Sequence, residues 1–153
     1  MTLSLLNGLA AAATMIVAHL GTANDMTRDW HLCMDGGGTP DEVIQACTTV
    51  LKSDRVETGD LLPAYVHRGI AYYGKKDWEH AIQDFDEAIR IDSKNEEIFN
   101  IRGSAYRHKG DCVHALQDYD RALQLKPDYK DAIANRAIAV RFCSGKPLEQ
   151  STP

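Results

Sequence analysis

Basic side chains are scarce in this chain of 153 residues: 17 Lys and Arg stand against 22 Asp and Glu, for a formal net charge of -5. An acidic balance without a basic stripe argues against nucleic acid as the main partner. Proline is also scarce, with 5 residues, while 44% of the chain is hydrophobic, a composition that argues against a disordered protein. The length leaves almost no room for a second folded domain.

Sequence motifs of catalysis are absent as well. The chain has no phosphate-binding loop, no nucleophile elbow and no catalytic triad order. A metal site built from His31, Cys33 and Cys47 would need a fourth ligand, and no CxxC or paired-histidine motif supplies one. We therefore expect no enzyme activity, no metal and no other cofactor.

Charge is missing altogether from residues 1–24, which contain no Lys, Arg, Asp or Glu. Residues 3–20 are mostly apolar and small residues follow them, a pattern typical of a cleaved secretory signal peptide at 1–23. This interpretation predicts a periplasmic or secreted protein. The alternatives are a membrane anchor formed by residues 2–20, barely long enough for a bilayer core of about 30 Å, and a buried helix of the fold.

The sequence repeats at an offset of 34 residues, where residues 62–95 align with residues 96–129. Twelve aligned positions are identical, whereas roughly two would be expected by chance. Apolar residues recur at steps of three and four within each unit, and polar residues interrupt them at 76–77 and 109–111. Each unit is therefore predicted to be a helix, a tight turn and a helix. Small residues are expected where the two helices approach closely, and aromatic residues beside them: Gly69, Ala81, Gly103 and Ala115, with Tyr72, Phe85, Tyr106 and Tyr119.

This pattern resembles the tetratricopeptide repeat, a 34-residue unit with aromatic, glycine, tyrosine, alanine and proline residues at set positions. The matching residues are Tyr65, Gly69, Tyr72, Ala81, Phe85 and Ala88 in the first unit, and Phe99, Gly103, Tyr106, Ala115, Tyr119, Ala122 and Pro127 in the second. The resemblance implies an all-α fold, a right-handed α-solenoid of antiparallel helix pairs with about three repeats and a terminal half repeat. Ser93 departs from the pattern because it stands where the first unit should have proline, and a looser turn is expected there.

Weaker copies of the unit flank the two full ones. Thr39 offers a capping hydroxyl just before Pro40, which predicts a helix start at this point. The predicted repeat domain spans 24–145, with a degenerate unit at 27–61, full units at 62–95 and 96–129, a half unit at 130–143, and a flexible tail at 146–153 after it.

The resemblance implies a concave groove that is lined by the first helices and binds a protein or peptide. A non-enzymatic scaffold of this kind would suit an extended or helical peptide with an apolar stretch and an acidic group. The implied groove positions are Val66, Ile70, Tyr73, Asn100, Ser104, Arg107, His108, Ala134, Ile138 and Arg141. The alternative is that these residues form solvated helix faces without a ligand.

Chaperone-binding members of the family grip a C-terminal carboxylate with a clamp of Lys, Asn and Arg. The matching positions in this chain are Val66, Ile70, Ile101, Asp131 and Asn135. Only the Asn135 amide can donate a hydrogen bond to a terminal carboxylate, so the sequence lacks this clamp.

Charged residues recur at equivalent positions of successive units. A repeated spacing repeats the geometry, so a ladder of ion pairs between neighbouring helices is predicted. His80 and His114 also share one unit position, which favours a scaffold role over ligand binding. The residues of the predicted ladder are Arg68, Arg102 and Arg136, with Asp84, Asp86, Asp118 and Asp120.

The chain has four cysteines, and an even count is typical of an exported protein in an oxidising compartment. In the tetratricopeptide arrangement, Cys33 and Cys47 lie on the two helices of the degenerate unit. Cys112 and Cys143 lie at helix ends on one side of the stack. The resemblance therefore favours two disulfides, Cys33 with Cys47 and Cys112 with Cys143, and the alternative is four buried thiols.

The last predicted helix is apolar on nearly all sides, and we expect the residues after Cys143 not to cover it. An uncapped solenoid end exposes an apolar patch. An alternative function follows, that of an assembly or structural subunit that forms a homodimer or docks onto a larger partner. The apolar residues of this helix are Ile133, Ala137, Ile138, Val140 and Phe142.

Overall fold

The structure, a computed structural model, describes residues 26–54 and 56–145, and every regular element among them is an α-helix. The expected signal peptide at 1–23 and the expected tail at 146–153 lie outside the described residues. The helices are α1 (residues 26–35), α2 (Pro40–Lys52), α3 (Thr58–Gly74), α4 (Trp78–Ile91), α5 (Glu96–Lys109), α6 (Cys112–Leu125) and α7 (Lys130–Cys143).

Helices α2 to α7 pack in chain order, each against the next, and short turns make the neighbours antiparallel. Helix α5 also contacts α7, so the first helices of successive units lie side by side in one layer. The predicted all-α helical repeat fold is confirmed. Helix α3 begins at Thr58, so the predicted unit boundary at residue 62 falls inside it.

Helix starts follow the sequence signals. The Thr39 hydroxyl accepts a hydrogen bond from the backbone N–H of Glu42, and the Glu42 carboxylate accepts one from the backbone N–H of Thr39. Asp77 and Asp111 cap α4 and α6 by accepting hydrogen bonds from the backbone N–H groups of His80 and His114. These caps satisfy N–H groups that the first helical turn leaves without partners.

The two histidines that share a unit position complete these caps. The Nδ1 atoms of His80 and His114 lie 2.8 and 2.7 Å from carboxylate oxygens of Asp77 and Asp111. Each imidazole also stacks on a tyrosine of the preceding helix, with ring centroids 5.0 Å apart in both units. The structure thus agrees with a scaffold role for both histidines.

Glycines let the two helices of each full unit approach closely. A Cβ atom at Gly69 would lie 2.7 Å from Cε1 of Phe85, and one at Gly103 would lie 3.0 Å from Cε1 of Tyr119. Both aromatic rings are fully buried. The predicted interlocking of small and large residues therefore forms the core of each unit.

The predicted ion-pair ladder is present. Arg68 donates from Nε and NH2 to the two carboxylate oxygens of Asp84, at 2.9 and 2.7 Å. Arg102 makes the same paired contact with Asp118, at 2.8 and 2.6 Å, and also donates to Asp86 at 2.6 Å. Arg136 donates to Asp120 at 2.5 Å.

The rungs of the ladder join consecutive units. Burial by itself lowers the pKa of the Arg102 guanidinium, but the hydrogen bonds and charges of Asp118 and Asp86 outweigh burial, and the net effect is a raised pKa. In the first full unit, the Thr48 hydroxyl takes the place of the second carboxylate and accepts from Arg68 at 3.1 Å. Each arginine therefore links its own unit to the one before it.

The cysteines meet in two pairs at the two ends of the solenoid. Cys33 on α1 contacts Cys47 on α2, and Cys112 on α6 contacts Cys143 on α7, with Cα atoms 4.8 and 5.8 Å apart. These are the pairs favoured by the sequence.

None of the described helices combines the length and the apolar character that crossing a bilayer requires.

Helix α7 buries little of its surface. Its buried residues are the two small side chains Ala132 and Ala139. Among the described residues, large apolar side chains of α7 stay exposed, and Phe142 has 58% of its surface accessible. The other exposed ones are Ile133, Ile138 and Val140.

Candidate functional site

Helices α3 and α5 form the two walls of a pocket of about 600 Å³ on the layer of first helices. One face of α3 supplies an apolar wall, because its side chains recur at steps of four, four and three residues: Leu62, Val66, Ile70 and Tyr73. Arg68 lies on the opposite face, and both Arg68 and Gly69 contact residues of α4. The lining residues are Leu62, Pro63, Val66, His67, Ile70 and Tyr73 from α3, Asn95, Glu97, Ile98, Asn100, Ile101 and Ser104 from α5 and its cap, and Tyr129.

Exposure of apolar side chains sets this pocket apart from the core. Ile70 keeps 44% of its surface accessible although it projects into the pocket. Val66 and Ile101 are half-buried beside it. An apolar concavity of this size is the usual form of a site that binds a ligand or peptide.

Polar groups mark the side of the pocket toward α7. Asn135 on α7 donates from Nδ2 to Oδ1 of Asn100 at 3.0 Å. The phenol of Tyr129 lies on the same side, where burial and the charge of Glu97 raise its pKa, so it remains a neutral hydrogen-bonding group. These groups can orient a polar backbone, while the α3 wall contacts apolar side chains.

Ser104 has its hydrogen-bonding capacity engaged within the protein. Its hydroxyl donates to the backbone carbonyl of Asn100 at 3.1 Å and lies 3.1 Å from the hydroxyl of Tyr119. Ser104 is buried, so it forms part of the pocket floor.

An aromatic cluster continues the pocket beyond Tyr73. The rings of Trp78 and His108 are stacked, with centroids 4.9 Å apart and an interplanar angle of 17°. Tyr73 meets both rings edge-on, at 5.1 Å from Trp78 and 5.7 Å from His108. The cluster thus joins the end of α3, the start of α4 and the end of α5.

Two cations adjoin the exposed imidazole of His108. An NH2 group of Arg107 lies 3.1 Å from His108 Nε2 and donates to it when the ring is neutral. Partial burial of the ring lowers the pKa of His108, and the positive charges of Arg107 and Lys76 lower it further. The groove therefore changes along its length from apolar to cationic.

The ten predicted groove residues divide into three groups in the structure. Five line the pocket, two adjoin it through Tyr73, and three lie outside its lining on the exposed face of α7. The groups are Val66, Ile70, Tyr73, Asn100 and Ser104; Arg107 and His108; and Ala134, Ile138 and Arg141.

Several lining residues were missed by the sequence analysis. Leu62 and Pro63 were not among the predicted groove residues, although both lie on α3 and line the pocket. Counting back one turn from Val66 would have found them. Ile98, one turn before Ile101, follows the same rule on α5.

Metal-binding geometry is not found in the part of the chain that the structure describes: no group of three or more His, Cys, Asp or Glu residues is placed to hold an ion.

Comparisons with known proteins show what this chain is similar to. Residues 63–95 match the sequence model of the tetratricopeptide repeat, and no curated protein matches the chain. The solved structure of the first TPR of Spaghetti (RPAP3) bound to the HSP90 peptide SRMEEVD has a TM-score of 0.64 at 20% identity, and the match covers 78% of this chain and 90% of that chain.

Two further solved structures have the same fold. The second TPR domain of human RPAP3, in complex with the HSP70 peptide SGPTIEEVD, has a TM-score of 0.61 at 23% identity over 80% of this chain and 97% of that chain. The Arabidopsis OM64 TPR domain has a TM-score of 0.62 at 22% identity over 76% of this chain and 92% of that chain. Together with the repeat match, these similarities support the tetratricopeptide resemblance.

Proposed function

We propose that this chain is a non-enzymatic scaffold that binds an extended or helical segment of a partner protein in the pocket between α3 and α5. The observation that carries the proposal is the pocket of about 600 Å³ with exposed apolar side chains on one wall. A soluble protein rarely leaves such side chains together in a concavity unless a partner covers them. Polar groups at Asn100 and Tyr129 would fix the direction of the bound segment.

The two RPAP3 domains are described as bound to chaperone peptides, which makes peptide binding a natural use of this fold. The partner of this chain is expected to differ. Its clamp positions are occupied by residues such as Val66, Ile70 and Ile101, which offer no charge to a terminal carboxylate. A peptide ending in EEVD is therefore expected to bind weakly or not at all, and it serves as a negative control.

The test is a selection of peptides from a displayed library on the immobilised protein, followed by affinity measurement with two variants. Ile70→Glu places a charge in the pocket and is expected to weaken binding more than tenfold. Ile91→Glu is the matched control, because Ile91 is 42% exposed on α4 and does not line the pocket. Equal loss in both variants, or no selected peptide at all, would contradict the proposal.

We also propose that the protein works in an oxidising compartment after export, with both cysteine pairs joined as disulfides. The pairing of Cys33 with Cys47 and of Cys112 with Cys143 supports this location. Intact mass after thiol alkylation tests it, since a periplasmic species should offer four thiols only after reduction. An unprocessed species with free thiols would contradict both export and oxidation.

The second candidate function is that of an assembly subunit that dimerises through α7. The observation that favours it is the exposed apolar surface of this helix, with Phe142 the most exposed of its large apolar side chains. Light scattering of the full chain tests it. A dimer that becomes a monomer in Phe142→Asp, while Ile70→Glu stays dimeric, would support assembly, whereas a monomer at high concentration would argue against it.

A further inference from the structure

The cationic end of the groove carries positive charge without acidic partners. Among the described residues, neither Lys76 nor Arg107 takes part in an ion pair. The buried Nε of Arg107 also has no hydrogen-bond partner within 26–54 and 56–145. The positive charges of these two side chains, which belong to one group with His108, are therefore not compensated by acidic side chains.

Two neighbouring lysines, by contrast, have acidic partners. Lys75 pairs with Asp41, and Lys109 pairs with Glu79 at 3.3 Å. These two lysines occupy equivalent positions in successive units, and each reaches an acidic residue of the preceding unit. Lys75 and Lys109 thus have acidic partners, whereas Lys76 and Arg107 have none among the residues that the structure describes.

Lys76 occupies the left-handed position just after α3, where its backbone N–H and that of Asp77 donate to the last carbonyls of the helix. Its φ is 63°, whereas the equivalent position in the next unit is Gly110 with φ 90°. A left-handed conformation costs a residue with a side chain about 1–2 kcal/mol, and glycine avoids this cost. Strain of this kind is commonly retained where a side chain has a function.

The cationic group is continuous with the pocket. Tyr73 lines the pocket and also contacts His108, and His108 contacts Arg107. Leu62 and Tyr73 are separated along α3 by about 16 Å, which about five extended residues would span. A peptide that fills the apolar part would therefore bring its next residues to Lys76 and Arg107.

We propose that Lys76 and Arg107, walled by the stacked rings of Trp78 and His108, bind the carboxylate of an acidic residue that follows the apolar stretch of the bound peptide. The inference rests on the proposed function and adds its ligand chemistry. Charge complementarity carries it, since an oxyanion would neutralise the local surplus. The site differs from the chaperone clamp, whose positions in this chain are occupied largely by apolar residues.

The experiment uses three labelled peptides with the same apolar stretch of alternating leucine and alanine, followed by three glutamates, three glutamines or three phosphoserines. Affinity is measured by fluorescence anisotropy. The protein is compared with the double variant Lys76→Gln/Arg107→Gln and with Arg90→Gln. Arg90 is the matched control because it pairs with Glu87 on α4, away from the groove. Circular dichroism checks that each variant is folded.

The glutamate peptide is expected to bind roughly five- to tenfold more tightly than the glutamine peptide to the unmodified protein and to Arg90→Gln. The double variant should bind both peptides equally. Equal binding to the unmodified protein would overturn the carboxylate site and leave the groove proposal intact. Binding of the phosphoserine peptide but not the glutamate peptide would also overturn the carboxylate assignment.

If none of the peptides binds, titration with acetate separates the two proposals. Saturable NMR shifts of the Trp78 indole and His108 ring, lost in the double variant, would support the anion site independently of the groove. No shift would overturn it.

Discussion

The imidazole of His108 lies almost parallel to the indole of Trp78, with ring centroids 4.9 Å apart. This contact holds the end of α5 against the start of α4, the second helix of the preceding unit. It also places His108 next to Arg107 and Tyr73, where the apolar groove becomes cationic. One stacking contact therefore contributes to the joint between units and to the shape of the candidate site.

Binding of an acidic peptide is expected to strengthen as the pH falls. The pKa of His108 is lowered by its burial and by Arg107 and Lys76, so the ring is neutral near pH 7. The groups that face it are these two cations, Tyr73 and Trp78. Protonation below its ordinary value of about 6.5 adds a positive charge to the carboxylate site. Affinity of the glutamate peptide between pH 7.5 and 5 measures this gain, which His108→Gln should reduce.

The same lowered pKa has the opposite effect on folding. The unfolded chain binds a proton more readily than the folded one, so His108 contributes stability above its unfolded pKa. That contribution is lost as the pH falls through the ordinary range and then through the lowered folded value. Urea unfolding across this range should show a smaller loss in His108→Gln. An unchanged pH dependence would contradict the assignment of this effect to His108.

Loss of Arg102 is expected to lower folding stability more than the loss of an exposed arginine of the ladder. The side chain is 18% exposed, and Arg102→Met would leave Asp118 buried without its partner, at a cost of about 3 kcal/mol. Arg136→Met is the matched control, since its side chain is 44% exposed, and it should cost under about 1 kcal/mol. Urea denaturation measures both, and similar losses would show that burial does not set the strength of the rungs.

Gly69→Ala should destabilise the first full unit. The added methyl group would meet the fully buried ring of Phe85 at 2.7 Å, and such overpacking costs about 1–3 kcal/mol. Gly74→Ala is the control, because nothing lies within 4 Å of its added Cβ. Thermal unfolding should separate the two variants by several degrees, and an equal melting temperature would contradict the close approach of α3 and α4.

Lys76→Gly should raise stability and lower function together. Relief of the left-handed strain is expected to stabilise the fold by about 1 kcal/mol, while loss of the ammonium group weakens binding of the glutamate peptide. Gly110→Ala introduces the same strain in the next unit and should destabilise by a similar amount. Destabilisation by Lys76→Gly would show that the lysine is held for structural reasons.

The helices and the ladder could be predicted because they recur. Arg68 and Arg102 occupy one unit position, so the repeat spacing carries the geometry of one rung to the next. Helix ends carried their own signals, such as the hydroxyl of Thr39 before Pro40. Local chemistry and periodicity therefore gave most of the architecture.

The stacked pair at the groove end escaped prediction because it does not recur. Trp78 aligns with Cys112, and His108 aligns with Gly74, so comparison of the two units finds no match at either position. The left-handed backbone at Lys76 could have been predicted, because Lys76 aligns with Gly110 of the next unit. Contacts between different units depend on the packing angle of the helices, which the spacing within one unit does not fix.

The most direct test of the binding proposal is to map, by two-dimensional NMR, which backbone amides shift when the full chain binds a peptide selected on it. We predict that the shifts cluster on α3 and α5, around Val66, Ile70 and Ile101, and extend to His108. Shifts confined to the α7 residues Ile138 and Phe142 would place the interaction on the uncapped helix and contradict the groove.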